Sequence, residues 1–135
     1  MFWGKRKGTN LWQLPQGGVI ESENLEQAML RELNEEVGLS SKHIDILGQT
    51  KQWLYYDVPS HYIRKENNLR YKGQKQIWFL LKLLVNDSNI NISFHKEQEF
   101  DDWKWVEYWY PLDKIVDFKK LVYKKALNEL SNFIL

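Results

Sequence analysis

The sequence predicts an α+β fold, a mixed β-sheet sandwiched between helices in an α/β/α arrangement. Three observations carry this. A single amphipathic helix is written between residues 25 and 37, apolar and aromatic-rich segments of strand length lie on both sides of it, and a second amphipathic segment closes the chain. With 135 residues, 43% of them hydrophobic, and neither a repeat nor a low-complexity tract, residues 1–135 suit one domain with a sizeable core.

Taken in order, Phe2 and Trp3 read as the end of a strand that runs into the basic loop Lys5, Arg6 and Lys7. Thr9 to Leu14 is an extended approach to Pro15, and Gly17 and Gly18 turn the chain. Leu25, Ala28, Met29, Leu33 and Val37 then fall on one helical face, Ser22 is placed to cap the helix, and Gly38 is placed to close it in a left-handed conformation. Ile44 to Gly48 and Lys51 to Val58 read as strands, the second rich in Trp53, Tyr55 and Tyr56. Pro59 to Gly73 is a long polar loop carrying His61, Arg64, Lys65, Asn67 and Asn68.

Gln76 to Val85, apolar at almost every position, has the pattern of a strand covered on both faces. Asn86 to Asn89 is a turn, and Ile90 and Ile92 flank Asn91 in a short strand. Glu97 to Asp102 is an acidic loop leading to a strand with Trp103, Trp105 and Val106. Pro111 opens a short helical turn, and Phe118 to Ile134 is the closing helix, with Leu121, Val122, Leu127, Leu130 and Ile134 turned inward.

Composition narrows the function. Nineteen basic and 18 acidic residues leave a net charge of +1, so no global field drives the protein onto a polyanion. The charge is clustered instead: Glu32, Glu35 and Glu36 form an acidic focus, while Lys5 to Lys7 and Lys119, Lys120, Lys124 and Lys125 form basic ones. The apolar run from Ile77 to Val85 is broken by Lys82 and falls far short of the roughly 20 residues a membrane span needs. Met1 to Gly8 has no apolar stretch of the secretory kind. The absence of cysteine excludes disulfides and thiolate metal sites, and fits a reducing cytoplasm.

The acidic focus is the chemical centre. Glu32, Glu35 and Glu36 stand at i, i+3 and i+4, so their carboxylates leave one side of the helix toward a common point. Carboxylates that close repel one another unless a cation lies between them, and their hard oxygens suit Mg²⁺ or Mn²⁺.

Gly17, Glu23, Arg31, Glu32, Leu33, Glu35, Glu36, Gly38 and Leu39, at these spacings, resemble the Nudix box of hydrolases that cleave nucleoside diphosphates linked to another group. A narrower resemblance covers most of the chain. Leu11 to Gly18 (LWQLPQGG), Glu26 to Leu33 (EQAMLREL), Gly73 to Leu81 (GQKQIWFLL), Glu99 to Trp105 (EFDDWKW) and Tyr108 to Pro111 (YWYP) look like the bacterial RNA pyrophosphohydrolases, which are akin to diadenosine polyphosphate hydrolases. Those enzymes convert the 5′-triphosphate of RNA to a monophosphate, with release of pyrophosphate, and so initiate mRNA decay.

The resemblance implies roles residue by residue. Metal ligands fall on Glu32, Glu35, Glu36 and Gly18, joined by Glu99 from a distant loop; Glu35, Glu36 and Glu99 are alternatives for the catalytic base. Glu23 and Arg31 orient loop and helix through a salt bridge. Phe118 stacks on an RNA base, and Lys119 and Arg6 meet phosphate. The implied cofactor is Mg²⁺, with Mn²⁺ as a substitute, and the implied partner is 5′-triphosphorylated RNA, with room for a small activating protein. A cytoplasmic monomer is expected, and no membrane.

Two rivals stand beside this reading: hydrolysis of free dinucleoside polyphosphates, and an inactive RNA-binding protein. Where the family has a Pro-Gly turn before the first box glutamate, this sequence has Glu21 and Ser22. The family pattern also begins about twenty residues before Met1, with a strand whose absence is expected to leave a neighbouring edge unpaired and to remove a further RNA-contacting basic residue.

Overall fold

Phe2 and Trp3 are adjacent in the chain and serve two different cores. In the computed structural model, which describes residues 1–59 and 73–134, they lie on strand β1 (Phe2–Arg6), where successive side chains point to opposite faces. Trp3 is packed with Ile115 and Tyr123 in one buried cluster, while Phe2 packs against the other, formed by Val37, Leu39 and Ile44. The two clusters put a helical layer on each side of β1.

Strand β1 is the centre of a three-stranded sheet, between β2 (Trp12–Gln13) and a long-range partner near the end of the chain, β7 (Phe100–Trp105). Both pairings are antiparallel, with Gly4 opposite Gln13 on one side and Trp103 on the other, and the register with β7 shifts between Lys5 and Arg6. The remaining strands form two antiparallel pairs: β3 (Ile44–Gln49) with β6 (Phe79–Leu83), and β4 (Leu54–Asp57) with β5 (Gly73–Gln76). The architecture is α+β as predicted, with its described strands distributed among three small sheets. A cleft of about 1100 Å³ is lined by Val37, Leu39 and Ile44 together with Tyr123, Leu127 and Leu130.

Helix α1 (Leu25–Val37) has the predicted bounds. Its cap is Asn24 rather than Ser22: the Asn24 side chain accepts from the Gln27 amide at 2.8 Å, and the Gln27 side chain accepts from the Asn24 amide at 2.9 Å, a reciprocal capping box. Gly38 closes the helix at φ 73°, with its amide bonded to the Asn34 carbonyl. The last helices are α2 (Tyr110–Lys114), which Pro111 opens, and α3 (Lys120–Leu130).

Several strand and helix expectations need correction. The predicted strand from Gln76 to Val85 is two strands, β5 and β6, interrupted at Ile77 and Trp78, and its residues are half-buried or exposed rather than covered on both faces. The interruption has a tertiary cause, since Thr50 ties Trp78 from both sides: its amide donates to the Trp78 carbonyl at 2.8 Å and its Oγ1 accepts from the Trp78 amide at 3.0 Å. Ile90 to Ile92 is not a strand; the Asn91 amide instead donates to the Val37 carbonyl at 2.8 Å. The acidic stretch is not all loop, for Asp101 and Asp102 lie within β7.

Phe118 and Lys119 belong to a 3₁₀ turn, so the closing helix begins only at Lys120. Its inward face is Val122, Tyr123, Ala126, Leu127 and Leu130. Leu121 lies off this stripe and Ile134 beyond the helix end, and both are exposed. The loop predicted from Pro59 to Gly73 lies, from residue 60 to 72, outside the described residues. Among the described residues, no helix is long and apolar enough to cross a membrane.

Candidate active site

The glycine turn and α1 are held together by one guanidinium. Arg31 receives Glu23 on two nitrogens, with Nε–Oε2 at 2.7 Å and Nη2–Oε1 at 2.9 Å, while Nη2 also donates to the Gly18 carbonyl at 2.7 Å. Its other terminal nitrogen donates to Glu32 Oε1 at 2.8 Å and to Glu35 Oε2 at 3.3 Å. The planar fork of arginine makes this possible; a lysine offers a point charge in its place. The hydrogen bond from Arg31 holds the Glu23 carboxyl below its usual range, and Arg31 itself is held above its own. Gly17 completes the fit, because a Cβ there would meet the Glu32 side chain at 2.0 Å.

Glu36 differs from its neighbours in being buried, at 5% exposure, and its Oε2 has no hydrogen-bond partner among the described residues. Burial first, then the negative charges of Glu32, Glu99 and Glu35, push its pKa up to about 9. The charge of Glu99 therefore acts on Glu36 across a large sequence separation. As the side chains stand, no three acidic or imidazole groups among the described residues converge closely enough to hold an ion, since Arg31 engages Glu32 and Glu35. The donor set nevertheless fits a hard divalent cation. A buried carboxylate with an unpartnered oxygen, surrounded by further carboxylates, is costly unless a positive charge joins it.

On the other side of Glu99 lies a basic group. Arg6 Nε is 3.9 Å from Glu99 Oε1, and the Lys7 amide donates to the Glu99 carbonyl at 2.9 Å, which fixes the basic turn against the start of β7. Lys119 is buried at 9% exposure; its ammonium is 5.8 Å from the Tyr56 ring and 6.0 Å from the Phe118 ring, and those rings lie 5.9 Å apart. Burial foremost, then the charge of Arg6, lowers the Lys119 pKa to about 8, with Glu99 opposing the shift. No carboxylate among the described residues forms an ion pair with Lys119. Its nearest acceptors are amide oxygens, Gln16 Oε1 at 3.4 Å and Gln13 Oε1 at 3.5 Å.

Charge interactions thus link Glu36 with Glu32, Glu35 and Glu99, and Lys119 with Glu99 and Arg6, while Arg31 binds Glu23 and the Gly18 carbonyl and the Phe118 ring stands beside Lys119. Sequence reasoning passed over the amide groups around Lys119. Gln74 and Gln76 share one face of β5, and Gln13 and Gln16 flank Pro15; two residues of strand spacing were the available signal.

Comparison with known proteins adds a family and a fold. The sequence matches the profile described as NUDIX domain over residues 1–129. Among solved structures, a C. elegans Ap4A hydrolase in a binary complex is similar at 21% identity and a TM-score of 0.67, across 98% of this chain and 85% of that one. The E. coli dihydroneopterin triphosphate pyrophosphohydrolase is similar at 19% identity and a TM-score of 0.68, across 95% of this chain and 85% of that one. At these identities the likeness is one of fold.

Proposed function

The chain belongs to the Nudix family, and on that premise we propose that it is an RNA pyrophosphohydrolase: a metal-dependent enzyme that hydrolyses a 5′-triphosphate end of RNA to a 5′-monophosphate. Water breaks a phosphoanhydride bond, pyrophosphate leaves, and the transcript becomes open to decay. The observation that carries the choice of substrate is the pair Lys119 and Phe118, a buried cation with no carboxylate partner among the described residues beside an aromatic ring, within electrostatic reach of Glu99.

In this reading Glu32, Glu35, Glu36, Glu99 and the Gly18 carbonyl hold Mg²⁺, or Mn²⁺ in its place. When bound, the ions neutralise charge on phosphoryl oxygens and lower the pKa of the attacking water. One carboxylate among Glu35, Glu36 and Glu99 takes the water's proton. Arg31 and Glu23 keep the glycine turn against the helix, a supporting role typically worth about 10 to 100-fold in metal affinity or activity. Arg6 and Lys119 receive the phosphate chain, and stacking of a base on Phe118 contributes about 1 to 3 kcal/mol with little sequence preference. The enzyme acts as a cytoplasmic monomer, with a small activating protein as a further partner.

A second reading, cleavage of free dinucleoside polyphosphates, is favoured by the fold shared with an Ap4A hydrolase. The test is direct. Triphosphate-ended RNA and diadenosine polyphosphate are each incubated with the protein, with and without Mg²⁺, and the products are resolved. Pyrophosphate and monophosphate-ended RNA, formed only with Mg²⁺ and largely lost in Glu35→Gln, are expected. Cleavage of the dinucleotide alone supports the second reading, and RNA binding without any cleavage supports a non-enzymatic one.

A further inference from the structure

The amide of Gln16 joins the two halves of the candidate site. Its Oε1 accepts from Lys119 Nζ at 3.4 Å and from Gln76 Nε2 at 3.4 Å. Gln76 is itself held, because its Oε1 accepts from the Trp78 indole nitrogen at 2.9 Å, and the Tyr56 hydroxyl donates to Gln74 Oε1 at 2.6 Å. Next along the chain stands Gly17, packed against Glu32 without room for a Cβ. One side chain therefore touches the buried cation while its backbone runs into the turn whose Gly18 carbonyl Arg31 grips.

We propose that Gln16 is a positioning residue: it holds the Lys119 ammonium at a fixed place relative to the glycine turn while leaving its charge available to a substrate phosphate. Chemistry favours an amide in this place. A carboxylate would orient the ammonium equally well but would neutralise it, whereas an amide oxygen accepts the hydrogen bond and leaves the positive charge. An apolar side chain would leave a buried ammonium with Gln13 as its remaining acceptor among the described residues, and an under-satisfied buried cation reorients toward water. Among the described residues, Arg6, Glu99 and Tyr56 are the other ionisable groups facing Lys119. This inference rests on the reading in which Lys119 meets a substrate phosphate.

The test compares Gln16→Leu, Gln16→Glu and Lys119→Met, alone and combined, in two measurements. The first follows the titration of the Lys119 ammonium by heteronuclear NMR and needs no substrate. Gln16→Leu is expected to move it to lower pH and Gln16→Glu to higher pH. The second measures kcat and KM on triphosphate-ended RNA. Gln16→Leu is expected to raise KM about tenfold, more than it lowers kcat, and to add nothing in the Lys119→Met background. A Lys119 titration unmoved by either Gln16 substitution, or full additivity with Lys119→Met, overturns the proposal. If the wild type does not cleave RNA while the titration shifts as stated, the positioning role stands and the RNA reading fails. Should Gln16→Leu prove unfolded in a thermal melt, Gln16→Glu carries both measurements.

Discussion

Gly17 lies so close to Glu32 that a Cβ placed on it would stand 2.0 Å from the Glu32 Cδ. What would have to give is the end of a flexible side chain, so Gly17→Ala displaces the Glu32 carboxylate and spares the backbone. Stability is expected to change by no more than about 0.5 kcal/mol, the usual range for an exposed substitution, while misplacement of a carboxylate proposed to bind metal is expected to cost on the order of 100-fold in turnover. A melting curve and a Mg²⁺-dependent rate, measured on one preparation, check both halves. Normal turnover would remove Glu32 from the proposed metal site.

Glu36→Gln separates metal binding from folding. The buried carboxylate, with an oxygen unpartnered among the described residues and three acidic neighbours, is destabilising while no cation joins it. Its replacement by a neutral amide is expected to stabilise the metal-free protein by about 1 to 3 kcal/mol, and to abolish the rise in melting temperature expected of the wild type with Mg²⁺. Thermal melts with and without Mg²⁺ measure both effects. An undiminished response to Mg²⁺ in the variant would contradict the assignment of Glu36 as a ligand.

Lys119 links substrate affinity to pH. Its folded pKa is lowered to about 8, below the ordinary lysine value of 10.5, so between those limits the unfolded chain binds more protons than the folded one. Folding stability supplied by this group therefore rises with pH across that window, while the ammonium that a phosphate needs is lost above about pH 8. KM for triphosphate-ended RNA is expected to climb from pH 8 to pH 9 in the wild type. In Lys119→Met it starts higher and stays level over the same range, and the variant melts at a higher temperature at pH 7. A wild-type KM that is level between pH 7 and pH 9 would argue against a phosphate contact by Lys119.

How far the sequence reveals these features depends on how local their causes are. Helix α1 is written in neighbours: an apolar stripe from Leu25 to Val37 and Gly38 at its end. Even there the cap moved from Ser22 to Asn24, because Gln27 completes a reciprocal pair that only Asn24 can enter. The split of Gln76 to Val85 into β5 and β6 depends on Thr50 taking both backbone groups of Trp78, a contact between segments with no shared pattern. Leu121, expected on the inward face of the closing helix, is exposed because the buried stripe runs through Val122, Ala126 and Leu130. In the site, the convergence of Glu32, Glu35 and Glu36 on one helix face is legible from spacing, while the roles of Glu23 and Arg31 are implied by resemblance. Glu99, Lys119 and Arg6 came from resemblance, and the amides of Gln13, Gln16, Gln74 and Gln76 became visible only when four segments met.

The central claim, that this Nudix hydrolase acts on RNA ends, is tested most directly by competition. Triphosphate-ended RNA and diadenosine polyphosphate are supplied together at equal concentration with Mg²⁺, and the ratio of their kcat/KM values is read from the two products. A ratio of about tenfold or more in favour of RNA is predicted, corresponding to the roughly 1.4 kcal/mol expected from Phe118 stacking and the Lys119 and Arg6 phosphate contacts, and it should fall toward unity in Lys119→Met. A ratio favouring the dinucleotide, unchanged by Lys119→Met, would contradict the account.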